Sequence, residues 1–197
     1  MADQKDSLPE DYFNNVYQNS NDPWNFESSE YELGKYKETV KYLSRDFFKN
    51  AFEIGCSIGV LTHMFADRCG ALLSVDAAEA PLVKARSRLR GFEHVRIEKM
   101  SVPQQFPEEQ FDLILMSEVG YYLSMPDLLK LQQEMLNHLE KGGQLLLVHW
   151  TPEVHDYPLT GDQVHEAFLA ISGEGGPLKL LHSSRAENYR LDSFEKR

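Results

Sequence analysis

Two groups of residues in this chain have the types and spacing to do chemistry. The first is a strand, a glycine turn and a helix start packed into Ala51-Phe52-Glu53-Ile54-Gly55-Cys56-Ser57-Ile58-Gly59-Val60-Leu61-Thr62. Gly55 and Gly59 bracket the turn, because glycine enters left-handed backbone without a side-chain penalty. A turn of this kind leading into a helix lets the backbone approach an anionic or nucleoside ligand closely. Asp76 lies 21 positions beyond Gly55 (76 − 55), at the end of a second short apolar run. That is where a carboxylate accepts hydrogen bonds from both hydroxyls of a ribose. Glu53 is an acid that a purely structural strand does not need. The second group is Glu118, Tyr121, Tyr122 and His149, which follow two later apolar runs. Residues at the carboxyl ends of strands face the cleft of a doubly wound sheet, and a carboxylate or imidazole there can collect a proton.

The elements that must position these groups follow from period and punctuation. Tyr12, Phe13 and Tyr17 share one helical face in a polar opening stretch, which the rigid turn Asp22-Pro23-Trp24 interrupts. Ser28 to Leu43 reads as a helix carrying Tyr31, Lys35, Tyr36 and Tyr42. Strands are expected at Ala51 to Ile54, Ala71 to Asp76, Val95 to Glu98, Phe111 to Met116 and Gln144 to Val148. The run Phe111-Asp112-Leu113-Ile114-Leu115-Met116 suits a strand buried on both faces. Helices are expected from Ile58, over Glu79 to Arg90, over Pro126 to Leu139 and over Gly161 to Ile171. Leu61, Met64, Phe65 and Cys69 fall at helical spacing, which puts Cys69 on the apolar face of the first of these as a small buried residue. Lys141-Gly142-Gly143 reads as the terminator of the Pro126 helix. Two last strands, near Leu178 to His182 and Asn188 to Phe194, complete the sheet. Strands alternating with helices predict a mainly parallel sheet covered on both faces.

Composition bounds the function. The chain has 197 residues and a formal net charge of −11, and no cluster of lysine or arginine offsets it, so a nucleic-acid partner is not expected. No apolar run approaches the roughly 20 residues that cross a bilayer, so no membrane partner is expected either. Met1 to Glu10 is polar and acidic, unlike a secretion signal. Cys56 and Cys69, the two cysteines, lack metal-type spacing and suit a reducing cytoplasm. His149, His155, Asp156 and His165 are irregularly spaced, so no metal site is read from them.

A dinucleotide motif prefers Gly-x-Gly-x-x-Gly, but here its second and third glycine positions are Ser57 and Val60. The pattern Glu-x-Gly-x-x-x-Gly, followed by Asp76, the Phe111 strand and Gly142-Gly143, resembles the S-adenosylmethionine-dependent methyltransferases of the Rossmann-like class. A narrower set of blocks resembles the nodulation protein S family of N-methyltransferases. These are Asp22-Pro23-Trp24, Tyr31-Glu32 with Lys35-Tyr36, Phe52 to Gly59, Ser117-Glu118-Val119-Gly120-Tyr121-Tyr122-Leu123, His149-Trp150 and Asp156 to Asp162 with Val164-His165. The resemblance implies a three-layer α/β fold of the class I methyltransferase type, with a seven-stranded, mostly parallel sheet and an antiparallel last strand. It implies one domain over residues 1–197, with 1–45 as a helical arm and candidate lid. The family takes its name from enzymes that methylate a free amino group on a deacetylated chitin-type oligosaccharide.

By the same resemblance the cofactor is S-adenosyl-L-methionine, leaving as S-adenosyl-L-homocysteine. Gly55 and Gly59 admit it, Glu53 lies near its amino-acid end, Asp76 holds the ribose and Ala77 lies beside the adenine. Ser101 and Val102 border the base, and Cys56 and Ser117 complete the contacts. No aspartate is clearly placed for the adenine amino group. Trp24 and Trp150 are aromatic walls for a cationic sulfonium. An amine acceptor needs a lone pair at the moment of attack, which makes Glu118, His149 and Tyr122 the catalytic candidates, with Tyr121 beside them. Each has a plainer alternative: Glu118 braces the turn after its strand, one tyrosine is packing with a wet hydroxyl, and His149 is a hydrogen-bonded cleft histidine. Two other functions fit the same outline, a nicotinamide-dependent oxidoreductase and a non-catalytic S-adenosylmethionine-binding protein.

Overall fold

The computed structural model describes residues 5–20 and 22–197; Met1 to Gln4 and Asn21, part of the polar opening stretch, lie outside the described residues. The chain runs α1 (Glu10–Asn19), α2 (Glu30–Lys41), β1 (Phe48–Ile54), α3 (Val60–Phe65), β2 (Cys69–Asp76), α4 (Glu79–Arg88) and β3 (Val95–Lys99). It continues with β4 (Phe111–Ser117), α5 (Met125–His138), β5 (Leu139–Trp150), α6 (Gly161–Leu169), β6 (Leu178–Arg185) and β7 (Tyr189–Lys196). The seven strands form one sheet in the order β3-β2-β1-β4-β5-β7-β6. Pairings among β3, β2, β1, β4 and β5 are parallel, and β7 is antiparallel to both of its neighbours.

Alternation along the central strands sorts the core into two layers, as period-two side chains require. Ile54, Met116 and Leu147 bury one face against Leu128, Leu131 and Met135 of α5 and Val164 and Phe168 of α6. Ala51, Leu113, Leu115 and Leu146 bury the other against Tyr36 of α2 and Leu61 and Phe65 of α3. Helix starts are capped from the side chains: Ser29 accepts from Glu32 N–H, Ser124 from Asp127 N–H, and Thr160 with Gln163 forms a full capping box. The Ser124 and Thr160 caps fix where α5 and α6 start after β4 and β5.

Two expectations are corrected. Cys69 is not on a helix: α3 ends at Phe65, a 3-10 turn covers Ala66–Arg68, and Cys69 opens β2 opposite Phe48. Strand pairing takes the backbone that helical spacing alone assigns to a helix. Gly142 and Gly143 do not end α5, which gives way to extended chain at Leu139. They lie within β5, where the register with β4 moves from Phe111↔Leu139 to Leu113↔Gln144. Gly142 has φ 75° there, and a Cβ on Gly143 would sit 2.8 Å from the Glu140 carbonyl oxygen. Both glycines serve a bulge.

Candidate active site

The carboxyl ends of β1, β2 and β4 and the N-terminal arm enclose a cavity of about 740 Å³. At one end the cavity floor is the glycine turn. Gly55 has φ 89°, and a Cβ there would lie 2.3 Å from Val119 Cγ2, so the close approach of this turn to the loop after β4 requires glycine. Ser57 is left-handed as well, with φ 47°. Its N–H donates to Asp76 Oδ2 at 3.1 Å, while Ala78 N–H donates to Asp76 Oδ1 at 3.0 Å. The carboxylate keeps acceptor capacity beyond these bonds, and Asp76 lines the cavity. Burial pushes the Asp76 carboxyl up to about 6, against the pull of the Ala78, Ser57 and Ala77 N–H groups. Ala77, Ser101, Val102 and Ser117 line the same end.

The arm closes over this floor. Tyr17 of α1 hydrogen-bonds Ser57 Oγ at 2.6 Å. Asp22 accepts from the N–H groups of Phe26 (2.8 Å) and Glu27 (3.0 Å), which shapes the Asp22-Pro23-Trp24 turn. Trp24 lines the cavity and packs edge-on to Tyr17, its centroid 5.6 Å away, and stacks on Phe26 at 5.5 Å.

The other end centres on Glu118. Its backbone is left-handed (φ 60°), an uncommon state for a residue with a side chain. Oε1 accepts from Lys35 Nζ at 2.6 Å. Oε2 accepts from the Tyr121 hydroxyl at 2.7 Å and from Trp150 N–H at 2.8 Å. Lys35 also donates to Glu32 Oε1 at 3.1 Å, so one buried cation joins two carboxylates from α2 and the β4 loop. Its side chain is 2% exposed. Burial works to lower the Lys35 pKa, but Glu118 and Glu32 outweigh it and raise it. Burial, then Glu118, holds the Tyr121 phenol well above its usual range; for Tyr122 burial is followed by Tyr157, whose hydroxyl is 3.5 Å away. Neither phenol is poised to ionise. Tyr121, Tyr122, Trp150 and Tyr157 all line the cavity.

Of the residues expected at the site, the structure brings Trp24, Gly55, Asp76, Ala77, Ser101, Val102, Ser117, Glu118 and Tyr122 to the cavity wall. It places Glu53, Cys56, Gly59 and His149 behind that wall. Glu53 lies inside the sheet with Oε2 accepting from Thr62 (2.6 Å) and Ser74 (2.7 Å), and burial pushes its carboxyl up to about 7 despite those two hydroxyls. A Cβ on Gly59 would sit 3.1 Å from Ala85 of α4, so this glycine serves helix packing. Cys56 is buried, and burial holds its thiol well up. His149 is fully buried with both ring nitrogens engaged, by Gly120 N–H and by His165. Glu32 and Lys35 were not singled out as site residues. Their signal was a Glu and a Lys three apart on a helix face shared with the buried Tyr36 and Thr39. Among the described residues, no group of three or more His, Cys, Asp or Glu is placed to hold a metal. Nor is any helix among them long and apolar enough to cross a membrane.

Known proteins share this fold. Among solved structures, a candidate methyltransferase from Pseudomonas syringae is 35% identical with a TM-score of 0.72, over 84% of this chain and 99% of that one. The N-methyltransferase NodS from Bradyrhizobium japonicum, in complex with S-adenosyl-L-homocysteine, gives a TM-score of 0.81 at 23% identity, over 92% of this chain and 98% of that one. The fold is therefore that of the class I methyltransferases. Nodulation protein S of Bradyrhizobium diazoefficiens is 33% identical over 103 residues, 52% of this chain and 49% of the relative. The chain spans about half the length of the curated relatives it matches. The family model described as Nodulation protein S (NodS) matches residues 11–149, a stretch that holds both ends of the cavity, and the chain belongs to that family.

Proposed function

We propose that the chain is an S-adenosylmethionine-dependent N-methyltransferase whose acceptor is a small-molecule amine, such as an amino sugar or a deacetylated chitooligosaccharide-like glycan. The observation that carries this reading is Asp76, which the backbone N–H groups of Ser57 and Ala78 orient at the cavity wall with acceptor capacity left for a ribose. The residues around it fit the adenosyl group. Ala77, Ser101 and Val102 border the base, Asp76 accepts from the ribose hydroxyls, and Trp24 and Trp150 offer aromatic faces to a sulfonium. A pyrophosphate fits poorly, because Ser57 stands at the second glycine position with its hydroxyl bound to Tyr17. That counts against the nicotinamide reading. The three segments α1, α2 and the Trp24 turn then form an arm over one domain.

When bound, the cofactor supplies a methyl group on a sulfonium, which the lone pair of the amine takes as the carbon–sulfur bond breaks. The protein's own part is to hold the amine in line and to receive its proton. Glu118 is the group assigned to that end. Oε2 has two donors already, whereas Oε1 has one and keeps a lone pair free. Glu32 and Asp127 also line the cavity, and a wall of acids favours a cationic amine over a neutral or anionic acceptor. Tyr122 shapes the pocket beside Glu118. The relatives described as N-methyltransferases support the reaction class.

The test is transfer of labelled methyl to a panel of amines, including glucosamine and a deacetylated chitin disaccharide, by wild type and Glu118→Gln. Wild type should label an amine, and the variant should lose about ten-fold or more in turnover. A protein that binds S-adenosylhomocysteine but labels no amine would point instead to the non-catalytic reading.

A further inference from the structure

Behind the cavity wall a chain of buried polar groups runs from the β4 loop to the far side of the sheet. Gly120 N–H donates to His149 Nε2 at 3.1 Å. An imidazole nitrogen that accepts carries no proton, so the His149 proton is on Nδ1. Nδ1 lies 3.1 Å from His165 Nε2, which must therefore accept. The His165 proton is then on Nδ1 as well, and it is donated to Asp192 Oδ2 at 2.7 Å. Asp192 is anchored in turn by the Ser183 hydroxyl (2.5 Å) and by Arg190 Nε, 3.0 Å from Oδ2. His149, His165 and Asp192 are fully buried, so each link is made without competition from water. Every hydrogen in the chain has one place to be.

The chain ends two residues from a left-handed position of the site. Glu118 is left-handed, and such a conformation persists only where the surroundings over-determine it. Strand β5 does so at three points: Val148 carbonyl oxygen accepts from Glu118 N–H (2.9 Å), His149 accepts from Gly120 N–H, and Trp150 N–H donates to Glu118 Oε2. Gly120 has no room for a side chain, since a Cβ there would meet Val164 at 2.6 Å and His149 Nε2 at 3.1 Å. The middle tie depends on the tautomer of a side chain that does not face the cavity.

We propose that His149 is a positioning residue, kept by His165 and Asp192 in the one tautomer that can accept from Gly120, and that it thereby sets Glu118 and Tyr121 toward the acceptor. This rests on the methyltransferase reading given above. His149 touches neither reactant; it acts through the Gly120 backbone.

The experiment compares wild type, His149→Phe and His149→Gln. Glutamine presents a carbonyl oxygen near the Nε2 position and restores an acceptor for Gly120, whereas phenylalanine fills the space without one. In wild type, ¹⁵N spectra should show both imidazoles as Nδ1–H tautomers. His149→Phe should speed hydrogen exchange at the Gly120 amide at least about ten-fold and lower kcat toward the labelled amine by up to about 10²-fold, the cost of small misplacement at a reacting centre. KM for S-adenosylmethionine and calorimetric affinity for S-adenosylhomocysteine should stay within two-fold, and His149→Gln should recover most of both losses. An Nε2–H tautomer in either ring of wild type would overturn the proposal. So would unchanged Gly120 exchange in His149→Phe, or equal losses of turnover and cofactor affinity in both variants. If wild type labels no amine, the reaction assignment fails, while tautomer and exchange still judge the relay.

Discussion

At the Gly55 end of the cavity Asp76 is held by backbone N–H groups; at the Glu118 end the carboxylate is held by two side chains and one backbone N–H, all but one from distant segments. Asp76 takes its orientation from the N–H groups of Ser57 and Ala78, which lie only a few residues past the ends of β1 and β2. Glu118 takes its orientation from Lys35 on α2, Tyr121 on its own loop and Trp150 on β5. The first arrangement survives any change that leaves the turn intact. The second is a charge network, in which losing one partner leaves the others buried and uncompensated. A constant ligand can be served by a rigid local motif, whereas an acceptor site assembled from distant segments can be altered one segment at a time.

That contrast makes Lys35 the most sensitive position. Lys35→Met leaves Glu32 and Glu118 as buried like charges, and breaking a buried pair in this way costs about 3–5 kcal/mol. Denaturant unfolding should show that loss, and adding Glu118→Gln to Lys35→Met should recover part of it by removing one orphaned charge. If Lys35→Met unfolds like wild type, the acceptor end is not held by this network.

A smaller effect with the opposite sign is expected behind the Gly55 end. Glu53 has its folded pKa raised by burial from 4.5 to about 7. Between those values the folded state keeps a proton that the unfolded chain has released, so stability falls as pH rises through this window and is lowest above it. Glu53→Gln keeps an acceptor for Thr62 and Ser74 and removes the buried charge. It should therefore be more stable than wild type at pH 8, by about 1–3 kcal/mol, with the gap closing toward pH 5. A gap that widens on acidification would contradict the assignment.

What was legible from the chain divides along the same line. β4 declares itself by an unbroken apolar run, and the Gly55 turn with Asp76 by spacing, because both depend on neighbours in sequence. Cys69 was misplaced because helical spacing ran on into a strand whose start is set by pairing with Phe48. Gly142 and Gly143 look alike as a helix stop or a strand bulge until the register with β4 is known. Lys35 and Glu118 are 83 residues apart, and His165 and Asp192 are 27 apart. No local pattern announces such pairs. Its place after a strand makes His149 a candidate proton handler; only its two ring contacts reveal a residue already committed to the backbone and to His165.

The most direct measurement is calorimetric titration of wild type and Asp76→Ala with S-adenosylhomocysteine and, separately, with NAD. The account predicts that wild type binds S-adenosylhomocysteine, more weakly as pH falls through about 6 where Asp76 takes up its proton, that Asp76→Ala loses most of that affinity, and that NAD gives no comparable heat. Equal affinity of both proteins for S-adenosylhomocysteine, or tighter binding of NAD, would contradict it.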